Sequence, residues 1–180
     1  GLSCLVDADH SDTAGADTGW TAPLEHQSRW SERLAALDAY VATLDSGSSQ
    51  RDVLRRRFYD ACRHREPDQV LIACEGPVGI GKTTAVTAYL LQRAIASGAR
   101  RLFIVAPYTA ILSQTAEVLR RALVLDDERD RPDFILAEHH HRADFDAISS
   151  RDLATLWTAP IILTTAVQFF ETLSSNAPSA

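Results

Sequence analysis

Apolar and polar positions divide the chain into a helical front and an alternating β/α remainder. Trp30, Leu34, Leu37, Val41 and Leu44 recur at spacings of four, three, four and three, which is one stripe of a helix. The run Ser46-Gly47-Ser48-Ser49 stops it, and Ser49 with Asp52 forms a capping pair for a second helix. That helix is expected to bury Val53, Leu54, Phe58, Ala61 and Cys62 and to end before Pro67-Asp68. From Val70 the period changes. Val70–Glu75 reads as a strand, Lys82–Ser97 as a helix closed by Gly98, and Arg101–Ala106 as a buried strand with an unbroken apolar run. Pro107-Tyr108-Thr109 turns into a helix with Ile111, Leu112, Val118, Leu119 and Ala122 inward. A charged loop, Asp126–Asp133, precedes a short strand at Phe134–Ala137. Pro160–Thr164 is another buried strand, and Thr165 with Gln168 caps a helix running through Leu173. Right-handed crossovers then require an α/β fold, a parallel β-sheet with flanking helices on both faces, preceded by a helical segment. No internal repeat is visible.

The first of these β/α junctions carries chemistry. Gly76, Gly81, Lys82 and Thr83 satisfy G-x-x-x-x-G-K-[ST], the P-loop pattern, between an apolar run and a helix. Glycines, Gly79 among them, let the backbone curl so that successive N–H groups converge on one anion. The helix that begins at Lys82 adds its N-terminal dipole. Lys82 is expected at the β- and γ-phosphates of ATP and the Thr83 hydroxyl on a Mg²⁺ ion, with Thr84 completing the loop. Of eighteen Lys plus Arg, Lys82 is the sole lysine, a slim ammonium kept where a phosphate cradle admits one.

Composition narrows the rest. With 46% apolar and 23% charged residues the chain is an ordinary globular sequence, and no apolar run approaches the length of a membrane span. Cys4, Cys62 and Cys74 are odd in number and widely spaced, which favours free thiols and a reducing cytoplasm over a disulfide framework. The net charge of −6 is uneven: residues 51–131 hold fourteen basic and ten acidic groups, and the flanks are acidic. The run Arg55-Arg56-Arg57 reads as a solvated helix face. The sequence contains no methionine, and the expectation is that it is a piece of a longer protein. Near the start, Asp7, Asp9 and Asp12 with His10 have the composition of a hard-cation site and equally that of an acidic surface turn.

Four blocks stand in a telling order: G-P-V-G-I-G-K-T, A-P-Y-T-A-I-L-S-Q at Ala106–Gln114, A-E-H-H-H at Ala137–His141, and A-P-I-I-L-T-T-A-V-Q-F-F-E at Ala159–Glu171. Together they resemble the helicase–nuclease of type I CRISPR systems, a superfamily 2 helicase fused to an HD nuclease. L-V-D-A-D-H-S-D-T at Leu5–Thr13 looks like the closing motif of that family's HD domain. The resemblance implies three parts: residues 1–20 as the tail of the HD domain and a linker, 21–66 as a helical linker, and 67–180 as the front of a RecA-like P-loop NTPase lobe. It implies Asp9 as a ligand of a divalent transition metal, with Thr13 in the hydroxyl position beside it. Thr109, Thr164 and Thr165 fall in motifs that touch the backbone of single-stranded DNA, where hydroxyls and helix ends hold phosphates without reading bases. The implied partners are single-stranded DNA and an RNA-guided CRISPR surveillance complex, in the cytoplasm, with no membrane.

Departures qualify what is implied. Val78 and Ile80 occupy loop positions where the family commonly has Thr and a small residue. No Walker B acid follows Glu171 in this sequence, so no catalytic set is complete within it. Three adjacent histidines, His139-His140-His141, alternate faces on a strand and do not converge on one ion, so they read as part of the E-H-H block. Two further readings of the loop stay open: another superfamily 2 translocase such as a restriction motor subunit, and a non-motor P-loop switch that only binds nucleotide.

Overall fold

A computed structural model describes residues 3–5, 27–44, 47, 49–66, 71–139 and 158–175. Its elements, in chain order, are β1 (Ser3–Leu5), α1 (Trp30–Leu44), α2 (Gln50–Arg63), α3 (Lys82–Ser97), β2 (Leu102–Ala106), α4 (Thr109–Leu123), β3 (Leu136–His139), β4 (Ile161–Thr165) and α5 (Ala166–Ser175). Two 3₁₀ turns, Asp126–Glu128 and Pro132–Phe134, join α4 to β3. The sheet has the order β1-β2-β4-β3; β2, β4 and β3 are mutually parallel, and β1 lies antiparallel on β2.

Alternation along the parallel strands divides the packing. Leu102, Ile104 and Ala106 of β2 join Ile161 and Leu163 of β4 and Leu136 of β3 in one buried cluster with α1, α3 and α4. On the other face, Phe103 meets Phe169 of α5 edge to face, with ring centroids 5.8 Å apart. Helices therefore flank the sheet on both sides. Gly98 closes α3 in the left-handed region at φ 67°, and the N–H groups of Gly98 and Ala99 both bond Ala94 O, as a C-terminal glycine cap requires.

The helical front folds onto this unit. Trp30, Leu34 and Leu37 are buried between α3 and α4, while Leu44, the last residue of the predicted stripe, is exposed. Trp30 Nε1 donates to Ala99 O at 2.6 Å, tying the start of α1 to the end of α3. Ser49 caps α2 as expected: its Oγ accepts from Asp52 N–H at 3.2 Å. Arg33 is buried completely and reaches from α1 to the turn after α4. Its Nη1 and Nη2 donate to the two Glu128 carboxylate oxygens at 2.7 and 2.9 Å, Nη1 also to Leu123 O at 2.8 Å, and Nε to Ser28 O at 2.8 Å.

Four expectations change. The predicted strand Val70–Glu75 does not form: Leu71–Pro77 is irregular, Leu71 is 90% exposed, and Val70 lies outside the described residues. Apolar side chains give a segment strand propensity, but a strand exists only where its backbone groups pair with a neighbour, and segment 71–75 joins neither β2, whose two edges β1 and β4 take, nor the outer edge of β1 or β3. β3 begins two residues later than expected, because Pro132 draws Phe134 into a 3₁₀ turn. On α2 the buried residue is Tyr59; Leu54 and Ala61 are exposed and Val53, Phe58 and Cys62 half-buried. On α4, Ile111 is exposed, and Thr115 and Ala116 take the inward positions. No helix among the described residues is long and apolar enough to cross a membrane.

Candidate functional site

The glycine loop runs from Gly76 into α3 and is shaped by two left-handed residues. Gly79 has φ 78° and Gly81 φ 90°, a region that costs an L-residue about 1–2 kcal/mol. Gly81 is the N-cap of α3, and its carbonyl accepts from Ala85 N–H at 3.1 Å and from the Thr84 hydroxyl at 3.0 Å. Gly76 is fixed differently: a Cβ there would press against Ile80 at 3.2 Å and the Phe58 ring at 3.3 Å. Ile80, one of the two unusual loop residues, is the buried anchor, whereas Val78 is almost fully exposed.

Lys82 folds back over this loop. Its Nζ donates to Gly76 O at 2.6 Å and to Pro77 O at 3.3 Å, so the sole ammonium is held at the loop mouth by neutral carbonyls. Charge-assisted bonds to phosphate oxygens are roughly twice as strong as neutral ones. An incoming polyphosphate would therefore compete well for this group. Thr83 is half-buried, its carbonyl bonded by the Thr87 hydroxyl at 2.7 Å, and its own side chain borders the cleft. The loop thus has what an anion and a hard cation need: tight glycines, a helix N-terminus, a cation and a hydroxyl.

The cleft in front of the loop has a volume of about 1180 Å³ and is walled by the end of α1, one face of α2 and the first half of α4. Asp38 on its α1 side is engaged, accepting from the Tyr59 hydroxyl at 2.7 Å and from Arg63 Nε at 3.1 Å. Burial, and then the Asp38 hydrogen bond, hold the Tyr59 phenol far above its ordinary pKa, so it stays a donor. Cys62, on α2, hydrogen-bonds Cys74 on the segment entering the loop; burial first, and Cys74 second, push its thiol up to about 11. Both are free thiols.

The predicted DNA-facing residues separate. Thr109 opens α4 and is exposed, and Thr165 Oγ1 accepts from Gln168 N–H at 3.4 Å at the start of α5. Thr109 follows β2 and Thr165 ends β4, and these strands are parallel with Ala106 against Thr165, so both residues lie at the same end of the sheet. Thr164 is 2% exposed and its hydroxyl is directed to Thr165 O at 3.4 Å, which leaves it no surface to offer a nucleic acid. Asp7, Asp9, His10, Asp12 and Thr13 lie outside the described residues, as do His140 and His141. Glu138 beside His139 is paired with Arg120 Nη1 at 2.5 Å.

Sequence reasoning missed one contributor. Arg55, assigned there to a solvated face, is exposed yet donates from Nε to Gly79 O at 2.9 Å and borders the cleft. Its place four residues after Arg51 on the same helix was the available signal. Comparison of the chain with family models, with curated proteins and with solved structures returned no match.

Proposed function

We propose that the loop Gly76–Thr84 binds the phosphates of ATP, with Lys82 on the β- and γ-phosphates and the Thr83 hydroxyl on Mg²⁺. The observation that carries this reading is the geometry of the loop: two left-handed glycines, Gly79 and Gly81, lead directly into α3 beneath a folded-back Lys82. A bound Mg·ATP would supply the phosphoanhydride and its metal; the chain's own groups orient and neutralise it.

The wider proposal is that this is part of a RecA-like motor lobe from an ATP-dependent DNA helicase fused to a metal-dependent nuclease. What supports it is the order of the four sequence blocks and a parallel sheet whose strand ends carry Thr109 and Thr165. In that proposal single-stranded DNA passes over the hydroxyls of Thr109 and Thr165, Asp9 belongs to the nuclease metal site, and an RNA-guided CRISPR complex delivers the strand. Thr164 drops out of the DNA-binding set because its side chain is buried.

Two measurements test the levels separately. Titration of the chain with a fluorescent ATP analogue and Mg²⁺ should saturate, and Lys82→Ala should weaken binding at least tenfold; equal affinity for both proteins refutes the phosphate site. In the longer protein, Lys82→Ala should remove ATP-driven unwinding and spare metal-dependent cutting of single-stranded DNA. Asp9→Ala should do the reverse. Loss of both activities in either variant refutes the assignment to two modules.

A further inference from the structure

Two guanidinium groups from α2 converge on Gly79. Arg55 Nε donates to its carbonyl at 2.9 Å. Arg51 approaches the other side so closely that a Cβ on Gly79 would lie 2.3 Å from its Nη2. The two arginines are four residues apart and share one helix face, so a single rigid element sets both. Lys82 holds the carbonyls of Gly76 and Pro77 at the start of the loop, while Arg55 holds that of Gly79 further along. Three cations therefore rest on or against the backbone of one phosphate-type loop. Of the carboxylates in the cleft, Asp52 is bonded by the Ser49 hydroxyl at 2.6 Å and is 3.7 Å from Arg55 Nη1, and Asp38 is bonded by Tyr59 and Arg63.

We propose that Arg51 and Arg55 form a second cationic wall of the cradle, which binds the terminal phosphate of a nucleoside triphosphate together with Lys82. This rests on the phosphate-site reading above. Arg55 spends one N–H on a neutral carbonyl, and a phosphate oxygen is the stronger acceptor for the remaining donors of its planar fork. Gly79 has no side chain to keep either guanidinium away, and any larger residue would displace Arg51. The wall gives the site a preference for polyphosphate length, since the γ-phosphate adds charge and oxygens that a diphosphate lacks.

The test is titration of the chain with Mg·ATP and Mg·ADP fluorescent analogues, in wild type, R51A/R55A, R51K/R55K and K82A, with a melting curve for each. The double alanine variant should lose about tenfold in triphosphate affinity and less than threefold in diphosphate affinity, as expected for lost charged hydrogen bonds. The double lysine variant, which keeps the charge, should restore part of the preference. Equal losses for the two nucleotides, without rescue by lysine, would mean that Arg55 only props the loop, and would overturn the proposal. R51Q/R55Q keeps length and polarity without charge, and serves if the alanine variant melts early; unchanged triphosphate preference in it is equally fatal. If K82A abolishes binding while the arginine variants bind both nucleotides as wild type does, this inference alone falls. If the wild type binds neither nucleotide, the phosphate site falls with it.

Discussion

Arg33→Met should cost this protein about 3–5 kcal/mol, because it removes the bidentate partner of the Glu128 carboxylate and leaves only Arg29 Nη1 at 3.3 Å and Leu125 N–H, in a site where only 12% of that side chain meets solvent. Arg33 is fully buried, and four hydrogen bonds at 2.7–2.9 Å join it to Glu128, Leu123 and Ser28. Methionine preserves most of the volume, so cavity formation is small and the loss is electrostatic. For a chain of this size each kcal/mol moves the melting temperature by roughly 2–4 °C, and the variant should melt about 6–20 °C early. Adding Glu128→Leu removes the weakly paired charge but leaves the Leu123 and Ser28 carbonyls unpaired. It should restore roughly 2–3 kcal/mol rather than all of the loss. The assay is a double-mutant cycle by thermal and urea denaturation. Additive losses, or an Arg33→Met variant within about 2 °C of wild type, would refute the claim that this ion pair clamps α1 to the turn after α4.

The remaining expectations use other parts of the structure. Burial raises the Glu128 pKa, but hydrogen bonds from Arg33 and from Leu125 N–H outweigh it and leave the group below its ordinary value. Its contribution is therefore complete above the ordinary carboxylate range and lost as pH falls through the folded value; melting of the wild type should fall on acidification, and in Arg33→Met, where only Leu125 N–H and Arg29 still oppose burial, that fall should be much smaller. Gly81→Ala and Gly98→Ala both force alanine into left-handed backbone, at φ 90° and 67°, and each should cost about 1–2 kcal/mol; only Gly81→Ala should also weaken nucleotide binding, and equal binding by both would count against the loop. With its thiol held up at about 11, Cys62 should be alkylated at pH 8 far more slowly than exposed Cys74, as read by peptide mass spectrometry; the reverse order would mean that docking of α2 on the core does not shield it.

Local signals carried much of the architecture. The stripe from Trp30, the Ser49 cap, Gly98 and the continuous runs of β2 and β4 each state their structure within a few residues, through periodicity, a capping hydroxyl or a left-handed turn. The glycine loop was equally plain, since its backbone shape depends on Gly79 and Gly81 themselves. What escaped were properties of pairs. Whether Val70–Glu75 becomes a strand depends on a partner elsewhere, and β1, only three residues long, is defined solely by the edge it finds. Arg33 lies beside Trp30 and Leu37 on the apolar stripe of α1, and nothing local says that Glu128, far along the chain, makes its burial tolerable. The face of α2 likewise follows from Asp38 and Gly79, which recruit Tyr59, Arg63 and Arg55, rather than from its own apolar pattern.

The pairing of Ser3–Leu5 with Phe103–Val105 bears on the order in which the molecule assembles. It joins segments about 100 residues apart, and three residues of ladder are a small return on closing so long a loop. Once α1 has docked on α3 and α4, the loop that must still be closed shrinks to about 25 residues, two halvings that lower the entropic barrier by about 1.2 kcal/mol. β1 is therefore a late arrival, added to a sheet edge that already exists and dependent on a helix that holds the intervening chain close. In synthesis from the ribosome β1 would emerge before β2 and wait for it, and then for α1 to find its seat, before it had anything to join. The same dependence runs backwards on unfolding: release of α1 lengthens the tether fourfold, and β1 should leave the edge with it.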